Sequence, residues 1–412
     1  MMPFFEIVML DLLIKNCIHP KLGKKVDIGI REGKIAKIGS VDEEAELVVE
    51  AAGCLALESF VIPHLHLCKA YTFDLVGWES VSLYREDLMH SSSKSIEYAA
   101  QVKKHYTAGW VYSNASRAVE ECRIHGVTHI RAFADVDSLA GLEAVKALLK
   151  LRDNYRGRVE LQVVAFPQQG LCKDPESLEL LYKAVELGCD VVGGIPWIES
   201  SEDEMEKHVK HVFDIAVEFN KDVAMLTDDA GDPKLKTTEM LCKETLRRGW
   251  QGRVAVCHAR ALALYPTERI DELAALMKEA GISLVSSPHT GTLWAPVKRL
   301  YQAGVNVALG QDDINDAYYP FGRGKMLEVA FLAAHLLNMM GPDDIEALVK
   351  MVTVNAAYAI GVKDHRISPG NPANLLILPC RTLIEALWYQ PDPLYTIVNG
   401  KLYDFKRTDQ DT

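Results

Sequence analysis

The sequence predicts an α/β fold, a (β/α)8 TIM-like barrel with a small β-sandwich domain formed by both termini. The barrel is predicted because eight short apolar segments alternate with amphipathic ones from residue 61 to about residue 340. The extra domain is predicted because both ends of the chain are rich in short strand-like segments. The predicted boundaries are 59–365 for the barrel and 1–58 plus 366–412 for the β-sandwich. A doubly wound open sheet is the alternative, but no G-x-G-x-x-G motif follows the first strand to favour it.

The predicted barrel strands are nearly continuous apolar runs, which is typical of parallel strands covered on both faces. They span residues 61–67, 128–136, 159–168, 190–196, 222–229, 253–259, 283–290 and 306–313.

Amphipathic segments between these strands predict the barrel helices. Examples are residues 142–157, 177–188 and 269–281, each of which ends in glycine. Glycine readily adopts the left-handed conformation that ends many helices, so the position of these residues supports the predicted helix ends.

The terminal segments have a different pattern. Residues 7–58 form short strand-like runs separated by tight glycine turns, and residues 371–379 and 393–405 continue this pattern near the other end of the chain. The dipeptide Asn399-Gly400 is typical of a two-residue hairpin turn. We therefore expect the two ends to fold together.

Composition restricts the classes of partner and compartment. The formal net charge is -12 and no basic cluster occurs, which argues against a nucleic-acid partner. No apolar run reaches the roughly 18–20 residues of a membrane span, and the first residues lack the features of a signal peptide. The nine cysteines are scattered without a C-x-x-C motif, which predicts free thiols in a reducing cytoplasm.

The first strand ends in His64-Leu65-His66. Residues at i and i+2 of a strand point the same way, and active sites of such barrels lie at the C-terminal ends of the strands. Both imidazoles are therefore expected to face the barrel mouth, within reach of one ion at about 2.0–2.1 Å. Two structural histidines are the alternative.

Strands six and eight end in further candidate ligands. Strand six ends in Cys257-His258, and strand eight is followed by Asp312 and Asp313. Alone, a histidine there is more often a packed residue, and paired acids often cap a helix. It is the coincidence of three strand ends at one rim that predicts a metal site.

These motifs are where the sequence resembles the amidohydrolase superfamily, and within it the cytosine deaminase branch, which includes isopropylammelide amidohydrolases. The segment FVIPHLHLCKAYT resembles the family's P-H-x-H-L-D-K motif. The other matching segments are LQVVAFPQQG, LGCDVVGGIP, GQDDINDAYYPFGRGKML and ISPGNPANLLIL. The resemblance covers nearly the whole chain, and it too implies a barrel with a terminal β-sandwich.

The resemblance implies the roles of the metal ligands. His64, His66 and Asp312 match ligands of a single divalent ion, zinc or iron, and Asp312 also belongs to the catalytic set. His258 matches the strand-six histidine that helps to hold the attacking water and the developing oxyanion. Strand four offers no lysine for a bridging carbamate, which argues against two metals.

The resemblance also implies how a substrate is held. Gln168 matches the glutamine that hydrogen-bonds the heterocycle, and Tyr318 falls where an aromatic residue covers it.

The fifth strand departs from the family pattern. It reads LTDDAGDP, so that Leu226 stands at the position of the third metal-binding histidine. Asp229 stands at the position of the glutamate that shuttles protons. Cys68, where relatives often have aspartate, is interpreted as a passive thiol.

Three interpretations of this departure stay open. The ion is held by His64, His66 and Asp312, with His258 as a fourth ligand; or Asp228 or Asp229 supplies a replacement oxygen; or the site no longer binds metal tightly. Loss of a ligand predicts weaker metal binding in any case.

The expected function is metal-dependent hydrolytic deamination of a cytosine-like pyrimidine or triazine, with release of ammonia. One alternative is an impaired or repurposed homologue that binds a heterocycle without turnover. Another is a related hydrolase that cleaves a cyclic amide or removes an N-alkyl substituent. The expected partner is a small heterocyclic substrate, and the resemblance implies a homo-oligomer.

Overall fold

The computed structural model describes residues 9–85 and 92–404. In chain order the strands are β1 (Leu10–His19), β2 (Lys24–Arg31), β3 (Lys34–Gly39), β4 (Ala45–Glu50), β5 (Leu55–Glu58), β6 (Phe60–Leu65), β7 (Val127–Asp135), β8 (Glu160–Phe166), β9 (Val191–Gly194), β10 (Asp222–Thr227), β11 (Val254–His258), β12 (Ser283–Ser286), β13 (Asn306–Leu309), β14 (Leu375–Leu378), β15 (Tyr395–Val398) and β16 (Lys401–Tyr403).

The helices lie mostly between the barrel strands. They are α1 (Phe73–Arg85), α2 (Ser92–Ala99), α3 (Ala108–Ile124), α4 (Glu143–Tyr155), α5 (Glu176–Glu186), α6 (Glu202–Glu218), α7 (Thr237–Arg248), α8 (Thr267–Glu279), α9 (Val297–Gln302), α10 (Met326–Leu336), α11 (Pro342–Met351), α12 (Val354–Ala359) and α13 (Leu383–Tyr389). None of the helices within the described residues is long and apolar enough to cross a membrane.

Strands β6 to β13 form one parallel sheet in sequential order, as predicted for a barrel. The first and last strands meet through backbone hydrogen bonds between their C-terminal extensions. The N–H of His66 donates to the carbonyl of Asp312 at 2.7 Å, and the N–H of Asp312 donates to the carbonyl of His64 at 3.0 Å. The contact that closes the barrel therefore also brings three candidate ligands together.

Each observed barrel strand ends before the predicted one. The apolar residues of each segment pair with the neighbouring strands. Several polar residues after them adopt left-handed backbone angles, with φ of 47° at Asp228 and 68° at Asp312. Such angles are incompatible with a regular strand. Asp228, Asp229 and Asp312 consequently lie in the loops beyond the strands.

The termini form a second, separate sheet with the order β16-β15-β14-β5-β1-β2-β3, in which β4 also pairs with β1. Its apolar core includes Ile14, Ile28, Leu375 and Ile397, so both ends of the chain contribute, as predicted. Asn399 and Gly400 form the expected two-residue turn, with φ of 47° and 82°. Residues 1–8 and 405–412 of the predicted terminal domain lie outside the described residues.

The terminal sheet is joined closely to the barrel. Only Ser59 separates β5 from β6, the strand that carries His64. Along β14, Leu375 and Ile377 face the core of the terminal sheet, whereas Leu376 and Leu378 join the core of the barrel.

All nine cysteines are free thiols, as predicted.

Candidate functional site

Three imidazoles surround one carboxylate oxygen at the barrel mouth. The distance to Oδ1 of Asp312 is 3.1 Å from Nε2 of His64, 3.9 Å from Nε2 of His66 and 3.5 Å from Nε2 of His258. All four residues are buried. The structure thus brings together the side chains that the sequence placed at strands one, six and eight.

Each of these nitrogens is close enough to Oδ1 to share an ion with it, since two atoms that each lie about 2.1 Å from one ion are at most about 4.2 Å apart. The ligand atoms of His64, His258 and Asp312 all lie within 4.8 Å of one another, and so do those of His66, Asp312 and Asp313, so Asp312 belongs to both groups. Imidazole nitrogen and carboxylate oxygen suit zinc or iron(II). Burial, with added repulsion from Lys69 and His64, holds the pKa of His66 well below its usual value, so its imidazole is neutral and has a lone pair to donate.

The carboxylate of Asp312 is held ionised and in place. Burial opposes its ionisation, but His258, His64 and Arg260 outweigh that cost and hold its pKa well below the usual range. Its second oxygen, Oδ2, accepts a hydrogen bond of 2.6 Å from the Thr290 hydroxyl. Oδ1 is therefore left to face the three imidazoles.

The loop after β11 is bent sharply at the site. His258 has φ of 71° and Ala259 has φ of 49°, values that residues with a side chain adopt rarely. Two hydrogen bonds to the β10 segment hold this bend, from Ala259 N–H to the Thr227 carbonyl at 3.1 Å and from Ala261 N–H to the Asp228 carbonyl at 2.8 Å. They help to fix where the His258 imidazole lies.

At the end of β10, Leu226 lines the same pocket as His258 and Asp312. It is 5% exposed and pairs in register with Cys257 of β11. An aliphatic side chain cannot bind an ion, so the pocket is apolar at this strand end.

Asp229 also lines this pocket, and its Oδ1 lies 3.1 Å from Nε of Arg260. Burial raises its pKa to about 7, against the opposing effect of Arg260 and with added repulsion from Asp312. A carboxyl with such a pKa is suited to exchanging protons at neutral pH.

Asp228 bonds to the start of α7. Its Oδ1 accepts hydrogen bonds from the backbone N–H and the hydroxyl of Thr237, both at 2.7 Å, and its Oδ2 accepts one from Thr238 N–H at 3.2 Å. The carboxylate therefore satisfies the first N–H groups of α7. These hydrogen bonds argue against the alternative in which Asp228 supplies a metal ligand.

A pocket opens beside the candidate ligands. On one side, Nε2 of Gln168 donates to the Tyr318 hydroxyl at 3.2 Å, so these two predicted residues lie together. Oε1 of Gln168 and Nε1 of Trp197 are buried without a hydrogen-bond partner among the described residues. Ile96 and Ile195 complete an apolar wall. The pocket therefore combines flat apolar surfaces with polar atoms left for a ligand.

Comparison with known proteins agrees with this architecture. The sequence model of the amidohydrolase family matches residues 111–403.

The chain belongs to the amidohydrolase family.

This amidohydrolase is 30% identical over 403 residues to N-isopropylammelide isopropyl amidohydrolase of Pseudomonas sp. (strain ADP), covering 95% of this chain and 96% of that protein. Its structure matches 5-methylcytosine deaminase from Klebsiella pneumoniae with a TM-score of 0.87 and 30% identity, covering 95% of this chain and 96% of that one. It matches N-isopropylammelide isopropylaminohydrolase from Burkholderia multivorans with a TM-score of 0.83 and 29% identity, covering 96% and 98%. The chain is therefore of the cytosine deaminase-like branch, as its sequence indicated.

Asp313 contributes a second carboxyl to the pocket of the amidohydrolase, and its pKa is shifted in the opposite direction from that of Asp312. Burial raises its pKa well above the usual value, and the neighbouring Asp312 and Asp316 raise it further. A raised pKa favours the protonated form of the carboxyl, which is able to donate a hydrogen bond. Asp316 in turn accepts from the N–H groups of Tyr318 at 2.9 Å and Tyr319 at 3.1 Å, which fixes the loop that carries Tyr318.

Glu199, which sequence analysis did not single out, joins two loops of the amidohydrolase pocket. It accepts hydrogen bonds from the N–H groups of residues 171–173 at 2.7, 3.1 and 3.1 Å, and from Nδ1 of His208 at 2.8 Å. Nε2 of His208 accepts from Ile195 N–H at 3.0 Å. The loop that carries Gln168 is thereby tied to the end of β9.

We expect Glu199→Gln to lower the free energy of unfolding by about 1–3 kcal/mol, because the amide leaves buried N–H groups without a carboxylate acceptor. KM should rise more than kcat falls, since the loop that holds Gln168 is loosened while the candidate ligands are untouched. Thermal unfolding and steady-state kinetics measure both effects. Glu202→Gln, at an exposed position of α6, is the matched control. Equal behaviour of the two variants would contradict this role.

The sequence predicts the role of Cys68 but does not single out Trp197. Burial raises the pKa of the Cys68 thiol to about 12, so that it stays protonated at neutral pH. A thiolate is the form that binds metal or reacts, and the passive interpretation of Cys68 is therefore supported. Trp197 was missed, although its place directly after the fourth strand is a signal that could have found it.

Proposed function

We propose that this amidohydrolase is a metal-dependent hydrolase of the cytosine deaminase type, which removes an amino group as ammonia from a cytosine-like pyrimidine or a triazine. The observation that carries the proposal is the convergence of His64, His66 and Asp312 beside a pocket that presents Gln168 and Tyr318. One similar structure is that of a 5-methylcytosine deaminase liganded with 5-fluorocytosine.

His64, His66 and Asp312 would hold the ion. When bound, a divalent ion lowers the pKa of water towards about 7 and so supplies a nucleophile at neutral pH. The remaining steps belong to side chains of the chain itself.

Asp229 takes the proton of the attacking water and returns it to the leaving nitrogen. Its pKa of about 7 supports both halves of this exchange at neutral pH. Because aspartate is one methylene shorter than glutamate, the exchange requires a shifted substrate or an additional water. This favours a substrate other than cytosine, or slow turnover.

His258 stabilises the negative charge that develops as the tetrahedral centre forms. Its Nε2 faces the same space as Oδ1 of Asp312, at 3.5 Å. A buried donor that needs no reorganisation is effective in this role.

The edge and the faces of the ring are recognised by different residues. The free Oε1 of Gln168 accepts a ring N–H, and Asp313, whose raised pKa favours its protonated form, donates to a ring nitrogen or carbonyl. Tyr318 and Trp197 supply flat surfaces for the ring.

A related C–N hydrolase that releases an alkylamine is the second candidate. The observation that favours it is the apolar wall made by Ile96, Ile195 and Leu226, which suits an N-alkyl substituent. The similarity to the isopropylammelide hydrolase agrees with this candidate.

Product analysis tests the proposal. The purified chain, reconstituted with zinc or iron, is incubated with pyrimidines, aminotriazines and N-alkylaminotriazines, and ammonia, alkylamine and ring-opened acid are quantified. We expect one equivalent of ammonia per substrate, and we expect Asp229→Asn to keep its metal but lose turnover. A thermal shift with a heterocycle but no released product would contradict hydrolysis and indicate a binding protein. Alkylamine release would favour the second candidate over the first.

A further inference from the structure

Arg260 lies at the centre of the site, although the sequence analysis did not single it out. It is 2% exposed. Its Nε is 3.1 Å from Oδ1 of Asp229, and its Nη2 is 2.8 Å from Oγ1 of Thr290, 3.4 Å from Oδ2 of Asp312 and 3.4 Å from Nδ1 of His258. One guanidinium therefore contacts the proposed proton carrier, the proposed oxyanion donor and a proposed ligand.

We propose that Arg260 is a positioning residue that holds His258 in the tautomer with its hydrogen on Nε2, so that His258 offers the site a proton and cannot be a metal ligand. The inference deepens the proposed function and rests on it for the catalytic consequence, but the tautomer itself is a property of the chain.

The guanidinium of Arg260 determines which nitrogen of the His258 ring is the acceptor. A guanidinium has five N–H donors and no acceptor. The nitrogen that faces it, Nδ1 of His258, must therefore be the acceptor. In a neutral imidazole the hydrogen then lies on Nε2.

The carboxylate of Asp312 faces the other nitrogen of the His258 ring. Nε2 of His258 lies 3.5 Å from Oδ1 of Asp312, and an ionised carboxylate only accepts. The opposite tautomer would place an N–H against the guanidinium and a lone pair against the carboxylate. A doubly protonated ring would place a second cation beside Arg260. Only the proposed tautomer satisfies both neighbours.

The guanidinium is itself fixed in position. Nη2 donates a hydrogen bond to Thr290 and Nε forms an ion pair with Asp229, and the backbone next to Thr290 leaves room for the group. A Cβ atom added at Gly291 would lie 2.1 Å from Nη1 and 2.9 Å from Cζ of Arg260. A side chain at position 291 would displace the guanidinium, so glycine there is part of the arrangement.

The tautomer of His258 limits which nitrogens can bind a metal ion. An Nε2 that carries hydrogen has no lone pair for an ion, and Nδ1 is taken by Arg260. His64, His258 and Asp312 lie close enough together to hold an ion, but the tautomer disfavours the interpretation in which His258 is a fourth ligand. Metal would be held by His64, His66 and Asp312, and His258 would act as the donor.

The direct test is a measurement, by 15N NMR, of which ring nitrogen of His258 carries hydrogen. The full chain is labelled with 15N-histidine and its spectra are recorded with and without zinc. His258→Gln identifies the signals by their loss. We expect Nδ1 to be unprotonated and Nε2 protonated in both states. Arg260→Met should lose this preference, and Arg131→Met, which removes another fully buried arginine away from the site, should keep it.

Zinc affinity, measured by chelator competition, provides the second readout. His258→Gln should leave affinity within about threefold, whereas His64→Gln should lower it by about 100-fold or more. If Arg260→Met fails to fold, the wild-type spectrum and the zinc affinities of the two histidine variants still test the inference. Hydrogen on Nδ1 in the wild type, or loss of zinc affinity in His258→Gln as large as in His64→Gln, would overturn the inference. The expected tautomer without turnover of any substrate would overturn only the proposed function.

Discussion

Asp312→Asn is expected to lose the metal and to reduce kcat/KM by more than about 1,000-fold, or roughly 4 kcal/mol of transition-state stabilisation. Oδ1 of Asp312 is the atom on which His64, His66 and His258 converge. A neutral amide cannot replace the ionised oxygen that the ion requires. Metal content by mass spectrometry and initial rates measure the two losses.

Asp313→Asn is the matched control for this variant. Burial and its acidic neighbours raise the pKa of Asp313, which favours the neutral carboxyl that the amide resembles. We expect one equivalent of metal to remain. Barrel closure should survive in both variants, since Asp312 closes the barrel through its backbone. A full equivalent of metal in Asp312→Asn would contradict the assignment of Asp312 as a ligand.

Leu226→His is expected to raise zinc affinity by about 10- to 100-fold, because it restores an imidazole at the strand end that lacks one. Leu226 is buried and lines the pocket with His66, His258 and Asp312, so the new ring enters the existing ligand set. Chelator competition measures the affinity. A rise in ammonia release from cytosine would follow if Leu226 limits activity.

Leu226→Phe is the control, since it adds a ring of similar shape that has no lone pair. Its zinc affinity should equal that of the wild type or fall below it. Equal affinity in the histidine and phenylalanine variants would show that position 226 does not face the ion.

The barrel could be predicted from the sequence because its parallel strands are continuous apolar runs between amphipathic helices. The strand ends could not be predicted. Asp228 and Asp229 are adjacent acids of similar character, and only the backbone, with φ of 47° at Asp228, decides that one caps α7 and the other lines the pocket.

The candidate ligands were accessible to sequence reasoning because H-x-H and a strand-terminal acid are local patterns. Arg260 and Glu199 were not, since their importance comes from partners that are distant in the chain. Glu199 contacts residues 171–173, and Arg260 contacts Thr290 and Asp312. Neither residue forms a motif, so packing alone reveals its role.

The central claim is that His64, His66 and Asp312 bind one divalent ion despite Leu226. It is tested most directly by anomalous diffraction at the zinc edge from crystals of the zinc-reconstituted chain. We predict one peak, about 2.0–2.2 Å from Nε2 of His64, Nε2 of His66 and an oxygen of Asp312. If a crystal grown with excess zinc shows no anomalous peak among these atoms, or shows the peak only at another place, the account is contradicted.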